Sequence, residues 1–167
     1  MKPAVHASAL GLALLAASAS AAAAPARYAA SMEQELQQLG IDARCSSEAT
    51  TRHHCTYERP SPSGGAALAM HAVYSDDSDT IYFYVERYLV VPSAHPQAGT
   101  VLRRLMELNW ELLAGKFEWN PRTGEVRLGA TLHTDSNFDR RAFRSLVRSL
   151  DALAQRYHGE LRGLLAP

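Results

Sequence analysis

The stretch Lys116–Leu132, "KFEWNPRTGEVRLGATL", decides the fold. Pro121 and Gly124 bracket a tight bend, because proline presets one turn dihedral and glycine accepts the positive φ that such bends need. Two segments of alternating character flank the bend, so the stretch reads as a hairpin. With the turn at Pro121–Gly124, Trp119 faces Val126 and Phe117 faces Leu128 on one side. Glu118 then faces Arg127 on the other, an opposite-charge pair across the strands. A slip of one residue would send every side chain to the wrong face.

Working outward, Val101, Leu105, Leu108 and Leu112 recur at helical spacing before the hairpin. Leu102, Asn109 and Leu113 lie alongside, and Gly115 closes the segment. After the hairpin, Ser136 is a good N-cap for a helix. That helix aligns Phe143, Leu146, Val147, Leu150, Leu153, Ala154 and Tyr157 along one stripe. Its other side carries Arg140, Arg141, Arg144 and Arg148, read as a solvated face. Toward the N-terminus, Tyr28, Met32, Leu36 and Leu39 set a first helix over Arg27–Leu39, with Gly40 as its stop.

Between the first two helices lie segments rich in strand formers. Ala66–Tyr74 and Ile81–Val91 flank the acidic turn Ser75–Asp79, and Arg59–Ala66, with two prolines and two glycines, is a loop. The order is helix, strands, helix, hairpin, helix, with short links that favour antiparallel pairing. The expected class is α+β: an antiparallel sheet of five or six strands packed against three helices.

The run "LMELNWELLAGKFEWNPRTGEVRLGATL", followed by "FRSLVRSLDALAQRY", resembles the YbjN-like domain family, described as bacterial sensory transduction regulators. A leucine-rich helix ends near the pair Leu108-Asn109. A Gly-x-Phe strand follows at Gly115 and Phe117, then a turn, a Val-x-Leu strand at Val126 and Leu128, and a last helix. The resemblance spans Val101–Tyr157 and implies a type III secretion chaperone-like fold. It also implies a protein-binding role and carries over no catalytic residue. This chain departs from the family in having an export leader and a cysteine pair.

The N-terminus begins with Met1 and Lys2, continues through Leu10, Leu12, Leu14 and Leu15, and ends in small residues. That pattern is a secretory leader, assigned to residues 1–23, with one domain expected over 24–167. Its apolar stretch is short and holds Ser18 and Ser20, so membrane insertion after leader removal is not expected. The expected location is periplasmic or secreted. Basic and acidic residues balance at 17 each, which offers nothing that would draw the chain to nucleic acid.

In such a compartment two thiols in one small domain usually pair. The only cysteines sit in "RCSSEATTRHHC", Arg44–Cys55. A hairpin bending around Ala49 and Thr50 sets Cys45 opposite Cys55, and a bridge there contributes about 2–3 kcal/mol. The alternative is a small metal- or ligand-binding protein using Cys45, His53 and Cys55. Neighbouring His53 and His54 point to opposite strand faces, which leaves too few convergent groups for a closed zinc site. The disulfide is the expectation, with no metal and no cofactor.

Other chemistry has weaker support. Ser61 and Ser63 lack a nucleophile-elbow context. His71, His95, His133 and His158 are scattered along the chain, and Glu107 and Glu111 read as surface ion-pair partners of Arg103 and Arg104. If Tyr74 opposes Ile81, then Met70, Ala72, Phe83 and Val85 join them on a core face. The opposite face presents His71, Val73, Tyr82, Tyr84 and Tyr88, the expected partner-docking surface, because tyrosine combines apolar area with a polar tip. The expected function is an exported, non-enzymatic protein-binding domain, regulatory or chaperone-like, acting on another protein or on itself as a homodimer. A hydrolase assembled from residues distant in sequence is the remaining alternative.

Overall fold

The computed structural model describes residues 26–135 and 137–166. The leader assigned to residues 1–23 and the expected N-cap Ser136 lie outside the described residues. The elements run α1 (Ala29–Gln38), β1 (Arg44–Ala49), β2 (Arg52–Arg59), β3 (Leu68–Ser75), β4 (Thr80–Val90), α2 (Ala98–Glu111), β5 (Lys116–Trp119), β6 (Glu125–His133) and α3 (Arg140–Gly163). The six strands form one antiparallel sheet in the order β1-β2-β3-β4-β6-β5. This is the expected α+β class.

Alternation in β3 shows how the sheet is built. Leu68, Met70, Ala72 and Tyr74 are buried, while the residues between them are half-exposed. Tyr74 opposes Ile81, so the buried face continues through Phe83 and Val85 on β4 and through Val126 and Leu128 on β6. Burying each such side chain stabilises the fold by about 1.5–3 kcal/mol. The helices supply the other half of the core: Met32 and Leu36 from α1, Val101, Leu105 and Leu108 from α2, and Phe143, Val147, Leu150, Ala154, Tyr157 and Leu161 from α3.

The β5–β6 hairpin has the expected register, Trp119 opposite Val126, Phe117 opposite Leu128 and Glu118 opposite Arg127. The charges nevertheless choose other partners. Arg127 pairs with Glu125 at 2.8 Å, two residues along its own strand, and Glu118 accepts the Tyr82 hydroxyl at 2.6 Å.

Helix ends differ from expectation for local reasons. α3 begins at Arg140, and its N-cap is Asp139, whose carboxylate accepts the Ala142 N–H at 2.9 Å. α2 ends at Glu111; Leu112 is already extended, and Gly115 with φ +82° serves the turn into β5. The arginine side of α3 is not simply solvated. Glu35, fully buried on α1, takes Arg144 and also Arg140, the latter at 3.2 Å, which ties the first helix to the last.

The acidic turn is an anchor as well. Asp76 accepts the Arg27 backbone N–H at 3.2 Å and the Tyr74 hydroxyl at 2.5 Å, and Asp79 pairs with the Arg27 guanidinium at 3.3 Å. Burial, reinforced by Asp76, pushes the Tyr74 phenol well above its ordinary range.

Tyr88 requires a correction. It was expected on the outer face with Tyr82 and Tyr84, but it is 1% exposed and its hydroxyl donates to the Ala154 carbonyl at 2.9 Å. The β4–β6 register shifts between Val85 and Leu89, and Arg87 within that bulge has φ +46°. A bulge re-aims the side chains that follow it, so simple alternation fails at this point and Tyr88 enters the core under α3.

Candidate functional site

The outer face of the sheet carries a row of rings. His54 on β2, His71 on β3, and Tyr84 and Tyr82 on β4 follow one another with centroids 4.5–5.1 Å apart. His71 and Tyr84 stack with planes 3° apart, and the Arg127 guanidinium covers Tyr84 from β6 at 4.8 Å. These residues come together because His71 directly opposes Tyr84, Val73 opposes Tyr82, and all four side chains alternate away from the core. Gly129 on β6 completes the row. A Cβ there would lie 2.7 Å from the Tyr82 hydroxyl oxygen, so the ring lies over the glycine.

His71, Val73, Tyr82 and Tyr84 are thus together and half-exposed, as expected; Tyr88 is not among them. Several polar atoms along the row contact one another or a neighbouring carboxylate within the chain. His54 Nδ1 meets Glu48 at 2.9 Å, His54 Nε2 meets His71 Nδ1 at 2.9 Å, and His71 Nε2 meets Glu86 at 3.2 Å. Burial, opposed by Glu86, holds the His71 imidazole below the usual histidine range. Burial raises the Tyr82 and Tyr84 phenols, with Glu118 adding to the effect at Tyr82.

Cys45 and Cys55 occupy directly opposed positions of the β1–β2 hairpin and are joined by a disulfide. Both sulfurs and a ring nitrogen of His53 lie within 4.8 Å of one another, yet disulfide sulfur is not a thiolate ligand. His53 itself is buried and held by Glu33 at 2.9 Å and Ser47 at 3.3 Å. The cluster is a staple and its lining.

The fold also joins Ser63 to His158, with Oγ and Nδ1 2.9 Å apart. Burial, aided by Arg162, lowers the His158 pKa, while the Tyr88 backbone works against it. The hydrolase alternative would need a carboxylate orienting that imidazole and donors for an oxyanion. Ser63 lies in the β2–β3 loop and His158 on α3, so the contact ties that loop to the last helix.

One surface escaped the sequence reading. Met106, Trp110 and Leu113 project from α2 and the residues after it, and Trp110 is 91% and Leu113 104% exposed. They sit at intervals of four and three, away from the core stripe of Val101, Leu105 and Leu108. The available signal was a second apolar stripe on one amphipathic helix, in which only one stripe can face the sheet. Large apolar side chains grouped in the open mark contact surfaces more often than solvated ones.

No family model matches the chain, and no curated protein sequence matches it. Solved structures do. A chain of the ExsC–ExsE complex superposes with a TM-score of 0.55 at 14% identity, covering 80% of this chain and 95% of that one. A chain of the ExoU–SpcU heterodimer from the type III secretion system of Pseudomonas aeruginosa gives 0.48 at 23% identity, covering 80% and 97%. The protein shares the α+β fold of that ExsC–ExsE chain.

Proposed function

We propose that this chain is a non-enzymatic protein-binding domain of the cell envelope that docks through the apolar ridge of α2, with a second copy of itself as partner. The observation that carries the reading is the exposure of Met106 and Trp110 one turn apart on α2 and of Leu113 just beyond its end. Tryptophan is enriched at the energetic centres of protein interfaces. An isologous contact centred on Trp110 would bring the Met106 end of one copy toward the Leu113 end of the other, as a two-fold axis requires. The fold is shared with a chain solved within a protein–protein complex, which supports a contact role. The leader pattern of residues 1–23 and the Cys45–Cys55 disulfide both suit an oxidising, periplasmic or extracellular setting. Regulatory or chaperone-like action, as the YbjN-like resemblance implies, fits such a domain.

The experiment is site-specific photo-crosslinking in the native envelope. A photoreactive side chain at position 110 yields a covalent adduct of twice the chain mass, and the same group at Arg122, on the hairpin turn, yields none. Equal labelling at the two positions contradicts the reading.

A second contact surface, the ring face of His71, Val73, Tyr82 and Tyr84, is favoured by its half-exposure over two adjacent strands. Tyr82→Ser with Tyr84→Ser separates the two, since it leaves the α2 ridge untouched.

A further inference from the structure

The row Glu48···His54···His71···Glu86 crosses four strands with three contacts of 2.9, 2.9 and 3.2 Å. Carboxylates only accept, so each outer contact requires an N–H from the imidazole: Nδ1–H from His54 and Nε2–H from His71. A neutral imidazole has one N–H. Both are then committed outward, and His54 Nε2 faces His71 Nδ1 lone pair to lone pair. Two neutral acceptors 2.9 Å apart repel; the contact is satisfied by a third proton, which makes one ring an imidazolium, or by a metal ion held between them.

We propose that His54 Nε2 and His71 Nδ1 form a binding site for one borderline divalent cation of the zinc, nickel or copper type, oriented by Glu48 and Glu86. Imidazole nitrogen suits these ions, whereas magnesium and calcium prefer oxygen. The outer carboxylates play the part they have around metal-bound histidines generally, fixing the tautomer and raising the basicity of the ligating nitrogen. Tetrahedral zinc holds its nitrogens at about 2.0–2.1 Å, so the facing pair has to open by only a few tenths of an ångström. The side chains are 19% and 11% exposed, and water would complete the coordination shell. The sequence hides this pair because the two histidines are 17 residues apart and meet only through the β2–β3 register. The site is independent of the α2 ridge.

Protons compete with the metal. The groups facing the pair are Glu48 from β1, Glu86 and Tyr84 from β4, and Arg127 from β6 above Tyr84. Calorimetric titration of the oxidised chain with Zn²⁺ tests the proposal. At about pH 7.5 one ion binds per chain, and affinity falls at least about tenfold at about pH 5.5, where imidazole protonates. His54→Ala and His71→Ala each abolish uptake, with circular dichroism confirming the fold. His53→Ala binds as the parent does. Glu48→Gln combined with Glu86→Gln keeps the stoichiometry and weakens binding about 10–100-fold. Absence of zinc uptake by the parent, or uptake by both alanine variants equal to the parent's, overturns the proposal. So does an NMR titration in which the two rings share a proton and zinc shifts neither.

Discussion

The side-chain amide of Asn109 pairs with both backbone groups of Phe117. Its Nδ2 donates to the Phe117 carbonyl at 3.0 Å, and the Phe117 N–H donates to its Oδ1 at 2.7 Å. A side chain of α2 thereby occupies the hydrogen-bonding edge of β5 at the margin of the sheet. Free strand edges invite pairing with other chains, and this contact closes one at its centre. Asn109→Ala should lower stability by about 1–3 kcal/mol, because both bonds go and β5 loses its edge partner. The check is the urea midpoint at unchanged m-value. An unmoved midpoint would show that the pairing adds nothing.

Glu35 joins α1 to α3. The hydrogen bond from Arg144, aided by the charges of Arg144 and Arg140 and opposed by burial, keeps its carboxyl below the usual glutamate range. A depressed carboxyl stabilises the fold above its unfolded pKa, so this contribution is complete at neutral pH. It fades as pH falls through the folded value. Glu35→Gln should cost about 1.5–3 kcal/mol at neutral pH and progressively less in acid. Urea unfolding across that pH range measures it, and a pH-independent difference contradicts the assignment.

How far the sequence reveals this molecule can be judged from particular residues. The hairpin register was legible because Pro121 and Gly124 fix the turn and the flanking pattern permits one alignment. Cys45 opposite Cys55 and Tyr74 opposite Ile81 followed from period-two alternation and short links. Tyr88 was not legible, since the bulge at Arg87 rests on backbone geometry with no residue signature. Glu35 with Arg144, and His54 with His71, join positions that only the tertiary fold brings together. Trp110 was visible as a residue, but the choice of which α2 stripe faces the sheet needed the packing itself.

Gly129 and Tyr82 make a prediction with an internal control. A methyl at position 129 would sit 2.7 Å from the Tyr82 hydroxyl oxygen and 3.0 Å from the ring. Gly129→Ala should therefore displace the ring, break its bond to Glu118 and destabilise by about 1–3 kcal/mol. Adding Tyr82→Ser removes the clash, so the double variant should lose less than the sum of the two singles. Strict additivity would sink the argument.

Reduction of the disulfide should lower stability by about 2–3 kcal/mol, as the bridge closes a loop with a sequence separation of 10. β1 is paired on one side only, so hydrogen exchange should accelerate first at Arg44–Ala49. Uniform acceleration over all six strands would point instead to a global role for the bridge.

The most direct measurement of the α2 ridge is sedimentation velocity on the oxidised chain over a concentration series. The parent should sediment as a dimer, and Trp110→Ser with Leu113→Ser should sediment as a monomer. Exposed positions like these should change the urea midpoint little, by within about 0.5 kcal/mol. A parent that stays monomeric at every concentration, or a double variant that remains dimeric, contradicts docking through α2.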